Sequence, residues 1–326
     1  MWIEGTGVAL PATVRLSSEL DRRLGRPEGW LFRRTGVFSR PVAVAEDQVE
    51  LAVRAATAAL ADAGRSPDEI DVVLFAAAVP YQSIPATAPL IQRQLGMADG
   101  AAAAFDINST CLSFLSAMDL LASLVGTGRY RRGLVVSAEI ASRALPWESA
   151  PETAGLFGDG AAAAVLSAGD GGSGVVAAAM ETYPSGYDAC RLGSGGTRYD
   201  FAGDREAFAC NAIFEMEGEA LFRLTLRTFP RFLDRLLAAA GWDRGEIDVV
   251  VPHQASPGAL AHLARKSGFG TDVVIDIMRE RGNQIAASLP SALHAARQAG
   301  RMLPGAKVLM LGTSAGVSLG GLALVA

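Results

Sequence analysis

Two stretches of this chain repeat each other. Residues 59–73 read ALADAGRSPDEIDVV and residues 236–250 read LLAAAGWDRGEIDVV, in register at Gly64 and Gly241 and through the run EIDVV at 69–73 and 246–250. Each copy reads as a helix ending near a glycine, a short polar turn, and an apolar, β-branched strand. A common helix–strand idiom would account for five matching residues. Fifteen aligned residues point instead to an internal duplication, so the fold must be two copies of one α/β unit.

The residues after each copy also run in parallel. The first copy is followed by an extended segment ending Phe105-Asp106-Ile107-Asn108, a helix over 109–124, a turn over 126–132 and a strand over 133–137. The second is followed by an extended segment over 273–277, Asn283, a helix over 286–299 and a strand over 307–311. Each half closes on a Gly- and Ala-rich strand, 157–166 and 317–325. Helices alternating with buried apolar strands predict mostly parallel sheets covered by helices. Two such sheets sharing a middle helix layer make a five-layered α/β/α/β/α arrangement. The first half is assigned to residues 1–170 and the second to 171–326. The polar, Gly-rich stretch 181–208 reads as an irregular crossing loop.

Composition removes several function classes. The 326 residues suffice for about two ordinary domains, and 50% are apolar. Only 19% are charged, against roughly 25% in soluble proteins, which fits a chain that also buries surface against a partner subunit. With 29 basic and 34 acidic residues the net charge is −5, which excludes a basic nucleic-acid footprint. Three cysteines without paired spacing argue against a disulfide framework and for a reducing compartment. No apolar run approaches the roughly 18 residues of a membrane span. The start, MWIEGTGVAL, has no signal-peptide pattern. A cytoplasmic protein without membrane contact is expected.

The candidate chemistry centres on three residues. Cys111 lies in Asn108-Ser109-Thr110-Cys111-Leu112-Ser113-Phe114, and Leu112, Leu115, Met118, Leu121 and Leu124 follow at helical spacing. A cysteine is by default a small core hydrophobe. The first turn of a buried helix, however, offers unpaired N–H groups and a positive dipole end, which favour a thiolate. Cys190 and Cys210 lie in or beside the irregular loop and lack that setting. His253 ends the second-copy strand in Val251-Pro252-His253-Gln254-Ala255, where strands leaving a parallel sheet meet ligands. His262 and His294 sit in helical stretches and are assigned to solvated faces. Asn283, next to Gly282, reads on its own as a turn residue.

Two other motifs fail on context. Gly312-Thr313-Ser314-Ala315-Gly316 satisfies G-x-S-x-G, but a hydrolase elbow needs a helix next and a later histidine; none follows His294. Gly5-Thr6-Gly7 lacks the third glycine of a dinucleotide loop, with Leu10 in its place.

The whole chain resembles the thiolase superfamily, most closely its β-ketoacyl-acyl-carrier-protein synthase III branch. The resemblance is carried by Trp30 through Arg34-Thr35-Gly36, by Asp106 to Phe114, by Phe157-Gly158-Asp159-Gly160-Ala161, by Val251-Pro252-His253-Gln254-Ala255, by Gly282-Asn283 with Ala286-Ala287-Ser288, and by the Gly-rich end. It implies a duplicated, thiolase-like five-layered α/β/α/β/α fold. It places the nucleophile on Cys111, the decarboxylation pair on His253 and Asn283, and the oxyanion hole on the amides of Cys111 and Gly316. Chain-elongating relatives carry a second His where Asn283 stands, and thiolases carry a second Cys near the C-terminus. This chain has no Cys after Cys210.

The implied reaction is a decarboxylative Claisen condensation. An acyl-CoA acylates Cys111, and a malonyl thioester on acyl carrier protein or CoA then gives a β-ketoacyl product without metal or redox cofactor. Trp30, Arg34, Thr35, Ile84, Phe157, Arg223 and Ser314 are the implied substrate-binding positions. A homodimer is implied, with a loop near Ile84 reaching the partner's acyl pocket. The family's adenine-stacking Arg is matched by Pro151, its carrier-docking Arg by Gly258, a phosphate-binding Lys by Arg223 and a Phe by Ser314. These departures fit a specialised member in secondary metabolism. Two other readings are acyl transfer to an amine or hydroxyl without decarboxylation, and a silent partner subunit that only shapes a heterodimer's cavity.

Overall fold

The structure is a computed structural model that describes residues 1–169 and 173–326. The proposed boundary between residues 170 and 171 lies outside the described residues. The first sheet comprises β1 (Trp2–Ala9), β2 (Val72–Ala76), β3 (Ala103–Ile107), β4 (Arg132–Glu139) and β5 (Gly160–Ser167), in the order β1-β5-β4-β2-β3. The second comprises β6 (Gly174–Thr182), β7 (Val249–Pro252), β8 (Lys307–Ser314) and β9 (Ser318–Val325), in the order β7-β8-β9-β6. A parallel bridge from Val250 to Val274 takes the place of β3, so the two halves share one strand order.

The sheets are mixed rather than mostly parallel, which corrects the sequence expectation. β2 runs parallel to β3 and β4, whereas β5 runs antiparallel to both β1 and β4. In the second sheet β7 and β8 are parallel, and β9 is antiparallel to β8 and β6. The reason lies in the connection: β8 and β9 meet in a tight hairpin with Ser314 opposite Ser318, and so short a link joins only antiparallel neighbours.

Helices α1 (Gln48–Ala63), α2 (Ser113–Gly126), α3 (Gly218–Ala240), α4 (Pro257–Lys266) and α5 (Ser288–Gln298) complete the layers. α2 and α5 lie between the sheets. Their Leu115, Met118, Leu289 and Leu293 share one buried cluster with Val72 and Leu74 of the first sheet and Val251 and Met310 of the second. α1 covers the outer face of the first sheet and α3 that of the second. The five layers are therefore α/β/α/β/α.

The repeated residues do the same work twice. Gly64 and Gly241 end α1 and α3 at φ 63° and 68°, a left-handed conformation that glycine adopts without a Cβ penalty. In the turns that follow, the Ser66 N–H donates to Glu69 Oε2 at 2.9 Å and the Asp243 N–H to Glu246 Oε2 at 2.8 Å. The aspartate of each EIDVV anchors the next strand. Asp71 Oδ2 accepts from the Arg131 N–H at 2.7 Å, and Asp248 Oδ2 from the Lys307 N–H at 2.8 Å.

Gly5 and Gly7 belong to β1, where a Cβ would strike the backbone of Ala59, Ala63 and Ala55 in α1. They allow close helix–strand packing and form no phosphate loop. The stretch 181–208 is irregular over only part of its length, which corrects the crossing-loop expectation: Glu181 and Thr182 end β6, Pro184–Ala189 forms a 3₁₀ turn, Cys190–Arg191 pairs with Glu215–Met216, and the helix Arg205–Cys210 begins within it.

Candidate active site

Cys111 sits in a single 3₁₀ turn, Thr110–Leu112, that precedes α2, not in the first turn of the α-helix itself. Thr110 adopts φ 53°, a sparsely populated conformation for a β-branched residue. Side chains hold this strained turn. The Thr110 N–H donates to Asn108 Oδ1 at 2.9 Å, Asn108 Nδ2 donates to the Ala78 carbonyl at 2.9 Å, and the Ser109 N–H donates to Ser113 Oγ at 2.9 Å.

Asn283 stands in a twin of that turn. Ile285 adopts φ 50°, and its N–H donates to Asn283 Oδ1 at 2.8 Å. Asn283 Nδ2 donates to the Ala255 carbonyl at 3.3 Å, and the Gln284 N–H donates to Ser288 Oγ at 2.9 Å. Asn108 thus matches Asn283, Thr110 matches Ile285, Ser113 matches Ser288, and Cys111 falls on Ala286. The 3₁₀ turns Thr110–Leu112 and Ile285–Ala287 pack against each other. The sequence signal for the twin was the shared frame of NSTCLS and NQIAAS.

His253 joins this group from the end of β7. Its N–H donates to the Leu311 carbonyl at 2.7 Å, and its carbonyl accepts from the Ala255 N–H at 2.9 Å. A Cβ on Gly312 would meet both His253 Cβ and Leu112 Cδ2, which places the histidine beside the Cys111 turn. The β8–β9 hairpin closes the other side, where Thr110 Oγ1, which donates to the Ser109 carbonyl at 2.7 Å, lies 3.4 Å from the Ala315 carbonyl. The backbone amides of Ala315 and of Cys111 itself are close enough to the sulfur to favour its anionic form. Gly316 follows at φ 125°.

Burial governs the electrostatics here. It pushes the Cys111 thiol well above its ordinary range, with Cys190 and Glu139 adding to the effect and the two amides opposing it. The helix-start argument for a ready thiolate is therefore outweighed in this structure. Burial lowers His253 to about 4, so its imidazole is neutral at physiological pH. The ring is 5% exposed and its Nδ1 has no partner among the described residues. Asn283 is 6% exposed. Cys190 is half-buried and burial pushes it up to about 11. Its influence on Cys111 was not legible from its place in the loop.

The remaining sequence-selected positions spread around this centre. Trp30 begins the helix Trp30–Thr35, with the Arg26 and Arg34 guanidinium groups over its ring at 5.0 and 6.0 Å. Thr35 is buried and its hydroxyl donates to the Leu31 carbonyl at 2.8 Å, so it is committed within the helix. Gly36 lies against Pro257, bringing this helix to the start of α4 and Gly258. Phe157 is buried, packs edge-on to Phe214 at 5.2 Å, and bridges Asn283 through the backbone. Arg223 is exposed and paired with Glu219 at 3.0 Å. It lines a cavity of about 670 Å³ with Gly186, Leu224, Arg227 and Val317. Ser314 is buried and donates to the Ala315 carbonyl at 3.2 Å. Ile84 is 87% exposed.

His262 is half-buried rather than solvated and packs edge-on to Phe222. His294 is half-buried rather than solvated, with Nδ1 2.9 Å from Thr6 Oγ1. The G-x-S-x-G sequence runs along β8 into the hairpin, not into a helix. Among the described residues no cluster of three or more His, Cys, Asp or Glu could hold a metal ion, and no helix is long and apolar enough to cross a membrane.

A duplicated five-layered fold with a cysteine turn, a histidine and an asparagine at the junction of its halves is that of the thiolase-like acyltransferases. Comparison with known proteins narrows the class. Residues 105–184 match the family described as 3-oxoacyl-[acyl-carrier-protein] synthase III, and residues 237–326 match its C-terminal region. The chain is 37% identical over 325 residues to the β-ketoacyl-[acyl-carrier-protein] synthase III of Bordetella petrii, covering 98% of this chain and 95% of that one. It is 35% identical over 316 residues to the 3-oxopimeloyl-[acyl-carrier-protein] synthase of Rhodothermus marinus, covering 96% and 90%. The crystal structure of the synthase III of Aquifex aeolicus superposes with a TM-score of 0.89 at 32% identity, covering 99% of both chains. The chain belongs to the β-ketoacyl-[acyl-carrier-protein] synthase III family and is an acyltransferase.

Proposed function

We propose that the enzyme condenses an acyl-CoA with a malonyl thioester through an acyl-Cys111 intermediate. The observation that carries this reading is the meeting of the half-buried Cys111 turn with buried, neutral His253 and the Asn283 turn. The Cys111 sulfur attacks the acyl thioester, its S–C bond forms, and the proton leaves with the departing CoA thiol. The amides of Cys111 and of the hairpin at Gly316 hold the oxyanion. The malonyl thioester then loses CO2. His253 Nε2 and one N–H of Asn283 Nδ2 donate to its thioester oxygen and stabilise the enolate, which attacks the acyl-cysteine and releases the cysteine sulfur. A neutral donor pair suits this step because the negative charge appears only on the way to the enolate.

Trp30 and Arg34 flank the CoA path, with Thr35 setting their helix. Phe157 and Ser314 border the acyl chamber, and Arg223 offers a cation for phosphate at the rim. Products of this type feed fatty acid or polyketide synthesis. The test is direct: incubation with a panel of acyl-CoAs should add one acyl mass to the intact protein, and subsequent malonyl thioester should release one CO2 per acyl group. Acyl transfer to an amine or hydroxyl without CO2 release would replace this reading, and a silent subunit would show neither event.

The same reading includes a homodimer. Among the described residues β3 is an edge strand paired with β2 alone, and an open edge accepts a second copy. Ile84, exposed on the loop before the helix Ala88–Gln94, is the residue offered to the partner's acyl chamber. Light scattering should give twice 33.8 kDa, and a monomer at micromolar concentration would overturn the dimer.

A further inference from the structure

The correspondence between the halves extends to the strands beside the turns. β4 matches β8, and their last residues, Glu139 and Ser314, occupy equivalent places, paired with Gly160 and Ser318. Next to Cys111, that end of β8 supplies the Ala315 amide. Next to its twin, Ala286, the end of β4 supplies a carboxyl. Glu139 is 1% exposed. Its Oε1 accepts from the Ala78 N–H at 2.6 Å, the strand β4 that it ends packs against the turn Ile285–Ala287, and the Val79 and Ala286 amides favour its anionic form. The Ala78 carbonyl in turn accepts from Asn108, whose Oδ1 holds the strained Thr110. One chain of contacts therefore runs from the turn Ile285–Ala287 onto β4, and through Glu139, Ala78 and Asn108 to the Cys111 turn.

We propose that Glu139 is a positioning residue whose buried carboxyl ties the Cys111 turn to the Asn283 turn and whose charge, when present, restrains the Cys111 thiolate. The titratable groups that face it are Asp159, from the loop entering β5, and Cys111 itself. Asp159 is held by Ser142 and the Ala43 amide. Burial pushes Glu139 up to about 8, so the carboxyl is neutral below that pH. Above it, the anion opposes ionisation of the thiol. Reactivity of Cys111 should consequently climb less steeply with pH above 8 than that of an isolated thiol.

The test is the pH profile of Cys111 alkylation by iodoacetamide, read by peptide mass so that Cys190 and Cys210 are scored separately. Glu139→Gln keeps the acceptor for Ala78 and removes the charge. It should react like the wild type below pH 7 and about three- to tenfold faster above pH 8.5, the scale of like-charge repulsion at close range. Glu139→Ala removes the acceptor and should lower kcat about tenfold or more with KM little changed, and Gln should restore it. Coincident alkylation profiles for wild type and Gln would overturn the proposal, as would full turnover in Ala. A Gln variant that fails to fold would overturn it too, by making Glu139 a determinant of the fold. If Ala fails to fold, the Gln profile alone decides. The kinetic arm rests on the proposed condensation, whereas the alkylation arm depends only on the thiol, so failure of one reading is distinguishable from failure of the other.

Discussion

Cys111→Ala is expected to abolish acyl-enzyme formation completely, with the fold retained. The side chain removed is small and its backbone turn is held by Asn108 and Ser113, neither of which contacts the sulfur in those bonds. The stability loss should therefore be modest, about 1–2 kcal/mol. Intact mass after incubation with acyl-CoA measures the first effect and thermal unfolding the second. Stoichiometric acylation of the variant would mean that the nucleophile lies elsewhere, and Cys190, near enough to influence Cys111, would be the first residue to map.

The second large effect separates the two half-reactions. Asn283 has three jobs, since its Oδ1 holds Ile285 while its Nδ2 ties to the Ala255 carbonyl and is the proposed enolate donor. Asn283→Ala would remove all three. Asn283→Asp keeps the acceptor for Ile285 and gives up the two Nδ2 donations, so it should hold Ile285 in place while slowing condensation at least about 10²-fold, the scale for losing one oxyanion donor. Rapid-quench measurement of acyl-Cys111, beside CO2 release from malonyl substrate, resolves the steps. Acylation should fall far less than condensation, by no more than the like-charge effect of one added carboxylate near the thiol, and equal loss in both steps would assign Asn283 a purely structural role.

The wild-type condensation rate in the same assay should show no inflection from His253 near pH 6.5. With His253 lowered to about 4 by burial, the neutral donor persists as pH falls and is lost only near that value. The linkage has the matching sign. The unfolded histidine takes up its proton near pH 6.5 while the folded one resists it, so this group's share of stability is full above pH 6.5 and drains away between 6.5 and about 4.

How much of this was readable in the sequence depended on distance along the chain. The repeat was readable because its glycine, glutamate and aspartate act locally, each bonding within its own turn or the next strand. Cys111 and His253 are legible because each lies where an extended run meets a helix, whereas Asn283 reads alone as a turn residue and enters the site only through the family resemblance. Sheet direction is not legible, because an apolar buried strand looks the same whether its neighbour is parallel or antiparallel. In the second sheet the hairpin that decides it is only Ala315-Gly316-Val317. His294 reads as solvated because its partner, Thr6, lies at the opposite end of the chain. Glu139 escaped notice for the same physical reason: a charged residue closing a strand reads as solvated until the amides that surround it, from residues 78, 79 and 286, are brought together.

Asp106, near the end of β3, carries a consequence for how activity responds to dilution. Its two carboxylate oxygens accept from the Thr87 and Ala88 N–H groups, each at 2.8 Å, so the segment after Ile84 hangs from the same strand that runs into Asn108 and Cys111. A second copy adding a strand to β3 would grip, in one stroke, the loop offered to its chamber and the rail on which the thiol is mounted. Loss of the partner would slacken both together. Specific activity would then fall on dilution in step with the dimer population, with assembly serving as a tension on the nucleophile as well as a meeting of surfaces.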